Sequence, residues 1–338
     1  MANQVTNTPH SAPSPVKLSN KSYDVILQNN ATNQIAQLNT KRHTKKLPLG
    51  QMQVSFKDIT ALFKGDKLDA LDAQLFDYIL IKYSQTSNHD NFPTVTFKLK
   101  EYMHDRKLRD AKSARKTLRK EITKFADLKL SYSGGNYKNK YDYPFVIQNI
   151  FSKTGYANGT AFFTFTPEIS ALLSTDHAML MPYHRLLLEI NTNREPTAWY
   201  LFRKILLNKR TNFGNSTRAD RMKISTLLKG CPSLPTYEEV MASNRHVDDR
   251  IIQPFFKAIE RLSDAFEYTY LTTSGKPFNY KEGIDYHNFA NGELVITSWK
   301  DYPDSWLQQL KASKNKHCKS NQSVNYSAIN DRASGNTK

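Results

Sequence analysis

Asp110-Ala111-Lys112-Ser113-Ala114-Arg115-Lys116-Thr117-Leu118-Arg119-Lys120-Glu121-Ile122-Thr123-Lys124-Phe125-Ala126-Asp127-Leu128 carries two patterns at once. Ala114, Leu118, Ile122, Phe125 and Leu128 recur at steps of four, four, three and three, the spacing of one helix face. Lys112, Arg115, Lys116, Arg119 and Lys120 fill the remainder. Asp110 is the predicted N-cap, because its carboxylate can accept from the unpaired amides of the first turn. Leu128–Ser133 then reads as a strand, with Gly134-Gly135-Asn136 as its turn.

Working outward, Met52–Phe56 is a predicted strand. Gly65–Tyr83 is a helix carrying Leu68, Leu71, Leu75, Tyr78 and Ile79 at helical spacing. Thr94–Phe97 leads into a short helix, Lys98–Arg106. Downstream, Tyr143–Phe151 and Ala161–Thr166 are further strands, with Gly155–Gly159 turning the chain between them. The same succession then recurs with little sequence identity. Pro167–Leu173 opens it as a short helix, proline suiting a first turn. Glu195–Leu207 is an amphipathic helix with Trp199, Tyr200, Phe202, Ile205 and Leu206. After a basic loop and a short helix at Met222–Leu228, Cys231–Tyr237 reads as a loop. Val247–Asp264 is a second basic helix, burying Ile251 or Ile252, Phe255, Ile259 and Leu262, and Pro254 should start or kink it. Phe266–Thr272 and Glu293–Trp299 are its strands, with Ser274-Gly275 at a turn.

A short helix, a basic helix and two strands, twice over, predict an α+β chain of two tandem winged-helix domains, 49–172 and 173–308. Residues 1–48 are rich in Asn, Gln, Ser, Thr and Pro, and end in a basic run from Lys41 to Lys46. They bury too little to repay ordering, although Val25–Leu27 suits a short strand. Residues 309–338 are similar, so both are expected as disordered basic tails.

Lys+Arg number 48 against 31 Asp+Glu, a formal net charge of +17, which implies a polyanionic partner. No apolar run reaches the ~20 residues of a spanning helix, so no membrane partner is expected. Cys231 and Cys318 form no CxxC, which suggests neither a zinc site nor a disulfide framework and suits a reducing cytoplasm. The histidines include no His-x-His pair and none followed three residues later by Arg. Gly275-Lys276 precedes proline, so no phosphate-cradling loop is present. The adjacent Asp248-Asp249 suits capping better than metal binding. The expectation is a protein without enzymatic activity, cofactor or metal.

Charge density locates the candidate contacts. Arg106–Lys129 holds ten Lys/Arg against three acids, and Arg203–Lys229 holds eight against one. Such runs are often only solvated faces. Here they lie opposite an apolar stripe on helices flanked by strands, where a groove-reading helix presents its contacts. The first-unit candidates are Lys112, Ser113, Arg115, Lys116, Arg119 and Lys120. In the second, Arg250, Gln253, Lys257 and Arg261 share the polar face, while Arg218, Arg221 and Lys223 suit the DNA backbone. Pairing of Lys257 and Arg261 with Glu260 or Asp264 is the alternative. The 18 Tyr and 18 Phe invite single-strand stacking, but most fall on apolar faces, where core packing explains them better.

Three stretches carry a family resemblance: Thr197–Leu206, the proline-containing Asp249–Ile259, and Phe163–Ile169. Over about residues 50–305 the chain resembles the replication initiator (Rep) proteins of iteron-controlled, theta-replicating plasmids. The first unit departs most, and Cys231–Tyr237 is an unusual insert. The resemblance implies monomers that bind repeated double-stranded origin DNA through both winged helices. They would open the adjacent duplex with the host initiator and recruit the replicative helicase. It also implies dimers, formed through the first unit, that repress the gene. Three rivals share some or all of these features: a transcriptional repressor without initiation activity, a DNA-nicking replication enzyme, and a helicase-loading adaptor.

Overall fold

The computed structural model describes residues 18, 20–36, 44–46, 51–56, 59–64, 68–86, 93–132, 146–173, 179–243, 246–279 and 283–310. The chain begins with β1 (Tyr23–Gln28) and α1 (Asn30–Ile35), followed by β2 (Thr44–Lys46), β3 (Gln51–Phe56) and β4 (Ile59–Lys64). Next come α2 (Ala70–Gln85), β5 (Thr94–Lys98), α3 (Leu99–Asp105) and α4 (Ala111–Ala126). β6 (Lys129–Tyr132) and β7 (Val146–Asn149) precede the hairpin β8 (Phe151–Ala157) and β9 (Thr160–Phe165). α5 (Pro167–Leu172), β10 (Met179–His184) and α6 (Leu186–Glu189) lead to the second half. That half comprises α7 (Pro196–Thr211), α8 (Ser216–Ala219), β11 (Arg221–Lys223), α9 (Ile224–Lys229) and α10 (Tyr237–Ala242). A π-helical turn (Asp248–Ile252) then runs into α11 (Gln253–Glu260), and β12 (Phe266–Leu271), α12 (Tyr286–Asn291) and β13 (Glu293–Trp299) complete it.

The fold is α+β, and its two halves repeat one topology. In the first, α2, β5, α3, α4, β8 and β9 follow in that order, with β6 and β7 inserted before β8, around an antiparallel sheet of order β5-β9-β8. In the second, α7, β11, α9, α11, β12 and β13 keep the same order around β11-β13-β12, with α8, α10, the π turn and α12 as insertions. Helix, strand, two helices and a returning strand pair, with the last strand central, is the winged-helix arrangement.

Two expectations for the first half are corrected. The strand after α4 is not part of the wing: β6 pairs with β4 and β7 in a separate five-stranded sheet, β2-β3-β4-β6-β7. Periodicity marks a four-residue strand but cannot name its partner. The expected turn Gly134–Asn136 lies outside the described residues. The wing is β8–β9, and its reversal is at Asn158-Gly159, both with positive φ (49° and 76°), the form a two-residue hairpin favours. Gly155 is no turn residue. It faces Phe162 within the hairpin, and a Cβ there would stand 2.2 Å from that ring.

The polar N-terminal stretch is also not all solvated tail. β1 pairs with β10 from Tyr23↔His184 to Gln28↔Met179, and Tyr23, Ile26 and Leu27 are buried. Asn29 and Thr32 cap α1 reciprocally, so polar composition here serves capping as well as hydration. Beyond Lys300 the described residues end with a helical stretch, 304–310, and residues 311–338 lie outside the described residues.

α2 starts at Ala70, later than the apolar spacing alone suggests. Asp69 accepts from the amides of Leu71 and Asp72 (2.8 and 3.1 Å), and Asp72 accepts from the Asp69 amide (2.7 Å). The helix is buried on almost every side, which leaves its polar residues in need of internal partners. Gln74 donates to the carbonyls of Leu187, Leu188 and Ile190 and accepts from Arg106. Asp77 takes both Nε and Nη2 of Arg203 on α7 (2.8 and 3.1 Å), with both side chains nearly inaccessible. Arg203 also donates to Gln28 and Asn33 (3.2 and 3.1 Å). Burial opposes the charge on Arg203, and the Asp77 carboxylate more than offsets it, so its pKa is raised.

Removing one partner of this pair strands the other, at a cost of ~3–5 kcal/mol. Asp77→Ala and Arg203→Ala should each lose about that much in urea unfolding, while Asp77→Leu with Arg203→Met should recover most of it. Single losses below about 1 kcal/mol would contradict the buried-pair description. Asp105 provides a pH-dependent test. Burial disfavours its charge, but Lys82 (3.1 Å) and the donating Tyr78 hydroxyl (2.9 Å) outweigh burial and lower its pKa. The resulting stability is present above the ordinary carboxylate range and is lost as pH falls through the depressed pKa. Asp105→Asn should therefore lower the urea midpoint at neutral pH, and the gap to wild type should close in acid.

Candidate nucleic-acid interface

α4 is set by its ends and its apolar face. Asp110 caps it, accepting from the Lys112 amide at 2.9 Å. Ala114, Leu118, Ile122 and Phe125 are buried, and the Phe125 ring lies 6.3, 5.8 and 6.4 Å from those of Phe76, Phe151 and Phe163. That aromatic cluster joins α4 to α2 and the wing. Lys112, Ser113, Arg115, Lys116, Arg119 and Lys120 are all exposed, on the side the apolar stripe leaves outward. All six expected positions share one accessible surface.

Two members of the basic run are not on that surface. Lys124 is buried, with its ammonium 2.7 and 2.8 Å from the Asp72 carboxylate oxygens and 3.3 Å from Glu121. Asp72 is also half of the α2 capping box, so Lys124 ties the last turn of the basic helix to the first turn of α2. Arg106 is likewise internal, donating to Tyr102, Gln74 and Leu188. Charge counting overstates the interface by these two buried residues, and a third member of the run, Lys107, is paired with Glu189 (2.7 Å).

The second basic run is used internally to a greater degree. Arg203 is buried, Lys209 pairs with Asp220 (2.9 and 3.0 Å), and Arg210 donates to the Leu180 carbonyl (2.8 Å). Arg218 on α8 is exposed, as is Lys223, which with Arg221 flanks buried Met222 on β11. This strand replaces the expected helical start at Met222. Arg221 is engaged by Glu293 of β13 (2.9 and 3.2 Å), an exposed pair of small net value that a phosphate can displace.

On the second basic helix, Arg250, Gln253 and Lys257 are exposed, while Ile251, Ile252, Phe255, Phe256 and Ile259 are buried. Both isoleucines are internal, and the stretch that carries them, Asp248–Ile252, is a π turn. Pro254 lies at the start of α11, as its missing N–H requires. Arg261 departs from the group. Its guanidinium pairs with Glu195 beside the start of α7 (3.4 Å), not with the intrahelical Glu260 or Asp264.

Sequence reasoning missed the wing's contribution, since it assigned the wing to another strand. Lys153 on β8 is exposed, with its ammonium 5.6 Å from the centre of the Phe162 ring. It also missed the face-to-face stacking of Tyr237 and Tyr286 (centroids 4.4 Å apart), which joins α10 to α12 across 49 residues. No local signal predicts that pairing. Among the described residues, no three His, Cys, Asp or Glu side chains converge as a metal site would need. No helix among them is long and apolar enough to cross a membrane.

The arrangement is that of a tandem winged-helix protein with one exposed basic helix in each half. Comparison with protein-family models and with curated proteins finds no match. Among solved structures, the chain is similar to the crystal structure of domains 2 and 3 of RctB. The match has a TM-score of 0.44 and 14% identity, and covers 81% of this chain and 99% of that one. A selenomethionine form of the same two domains aligns with a TM-score of 0.45 at 14% identity, over 79% and 97% of the two chains.

The geometry separates contact residues from internal ones by experiment. Arg119→Ala and Arg250→Ala should each leave the urea midpoint unchanged and remove ~1–3 kcal/mol of discrimination between specific and unrelated duplex. Lys124→Ala should do the reverse, destabilising the fold through the stranded Asp72. Unaltered discrimination in both arginine variants would show that these helices do not read DNA.

Proposed function

We propose that this protein is a sequence-specific double-stranded DNA-binding replication initiator, of the kind found on plasmids and other mobile elements. The observation that carries the DNA-binding part is the doubled topology. Each half presents the third helix of a winged-helix unit, with its apolar side buried against the wing sheet and its Lys, Arg, Ser or Gln side chains outward. Such helices fit the major groove, where Arg pairs bidentately with guanine and Gln with adenine. The formal charge of +17 adds attraction to phosphates along the duplex. The initiator part rests on the sequence resemblance to plasmid Rep proteins. On that reading the two helices occupy successive major grooves of a repeated origin sequence, and opening and helicase loading involve host partners.

The test is a footprint of the purified protein on the DNA flanking its own gene, with nonspecific competitor. Protection recurring over direct repeats, together with autonomous replication of a replicon carrying only this gene and that DNA, is the expected result. Protection of a single promoter-proximal inverted repeat, with no replication, would replace the initiator by a repressor. Relaxation of supercoiled plasmid with Mg²⁺ or Mn²⁺ would replace it by a nicking enzyme. If six to ten phosphates are contacted, affinity should fall roughly 10³–10⁵-fold between about 50 and 200 mM salt. A flat salt response would remove the electrostatic basis of the proposal.

A further inference from the structure

Gln253 belongs to the exposed face of the second basic helix, and its side chain is already engaged there. Its Nε2 donates to the Asp248 carboxylate at 3.3 Å. In an α-helix, residues five apart lie about 140° from each other around the axis and cannot meet. They meet here because Asp248–Ile252 is a π turn, in which the Gln253 amide also bonds to the Asp248 carbonyl. Pro254 supplies the sequence reason: with no N–H, it cannot close the α-type bond to the Arg250 carbonyl, so the regular ladder is interrupted at this point.

We infer that Asp248 is a positioning residue that holds the Gln253 amide for adenine in the major groove, an inference that rests on the DNA-binding reading above. A carboxylate only accepts hydrogen bonds, so it must face the NH₂ end of the amide. One Nε2 hydrogen is then committed to Asp248. The other hydrogen and Oε1 remain, which are the donor for adenine N7 and the acceptor for adenine N6–H₂. Guanine offers acceptors at both positions, so the Oε1 of a fixed amide would face O6 without a hydrogen between them. An untethered glutamine could flip its amide or turn away, and the tether removes that freedom before DNA arrives. The Asp248 charge acts in the opposite sense on general affinity, because it lies on a surface meant for phosphates. Selectivity is gained at the expense of indiscriminate binding.

The experiment is parallel selection from a randomised DNA duplex pool by the full-length wild type, Asp248→Ala, Asp248→Asn and Gln253→Ala, followed by binding of each to the wild-type-selected duplex and to unselected duplex. Wild type should enrich a motif with an adenine position. Gln253→Ala and Asp248→Ala should both lose preference at that one position, by about tenfold or more. Asp248→Ala should bind unselected duplex at least as tightly as wild type, a gain that a merely unfolded variant would not make. Asp248→Asn, whose Oδ1 still accepts, should restore the adenine preference. Full preference in Asp248→Ala, with a wild-type motif present, would overturn the positioning role and leave the DNA-binding reading standing. Failure of the wild type to enrich any motif would overturn both.

Discussion

The Asp77–Arg203 pair is the constraint on which the arrangement of the two halves depends. It joins α2 to α7, the first helix of each winged-helix unit, at a point closed to solvent. A buried pair is held by its surroundings as much as by its own attraction, because both ions must have their hydrogen bonds completed inside. Gln28 and Asn33 complete Arg203 from β1 and α1. Gln74, three residues before Asp77 on α2, binds three carbonyls of the segment between the halves and receives Arg106 from behind α3. Apolar packing alone tolerates sliding, whereas these directional bonds fix one register between the halves.

The same logic extends to the basic helix of the first half. Lys124 reaches the Asp72 carboxylate, and Phe125 enters the cluster of Phe76, Phe151 and Phe163. One turn of α4 is thereby tied to both α2 and the wing, while Lys112 to Lys120 stay outward. In the second half, Arg261 and Glu195 link the end of the basic helix to the start of α7. Each exposed helix is referred, through one ion pair, to the first helix of its own unit.

Much of this was legible in the sequence, and the reasons for the rest are specific. The stripe from Ala114 to Leu128 gave the buried face of α4 correctly, because helical periodicity is a local property. The six exposed positions on that helix followed from it. What local pattern cannot supply is the identity of a distant partner. Lys124 and Arg106 looked like members of a charged surface, and only Asp72 and Gln74, 52 and 32 residues away, make them internal. Residues 129–132 read as a strand but not as a neighbour of β4. Tyr23, Ile26 and Leu27 sat in a polar context, and the edge that buries them, β10, lies far along the chain. The π turn escaped notice because a pattern of 3.6 cannot reveal a local widening, although Pro254 marked the place.

The two basic runs therefore differ in meaning despite similar composition. In Arg106–Lys129 most of the charge stays on the surface. In Arg203–Lys229, Arg203, Lys209, Arg210 and Arg221 are each held by a protein acceptor. A phosphate contact is sequence-blind, and a base contact requires a side chain held at one angle. Four of the eight basic residues of that run are thus internally engaged, while the exposed helix of the same half presents Arg250 and a Gln253 tethered to Asp248. The first half carries the denser array of exposed Lys and Arg, on α4. Because the Asp77–Arg203 pair joins α2 to α7, and one ion pair ties each exposed basic helix to the first helix of its own half, the two basic faces are referred to one common frame.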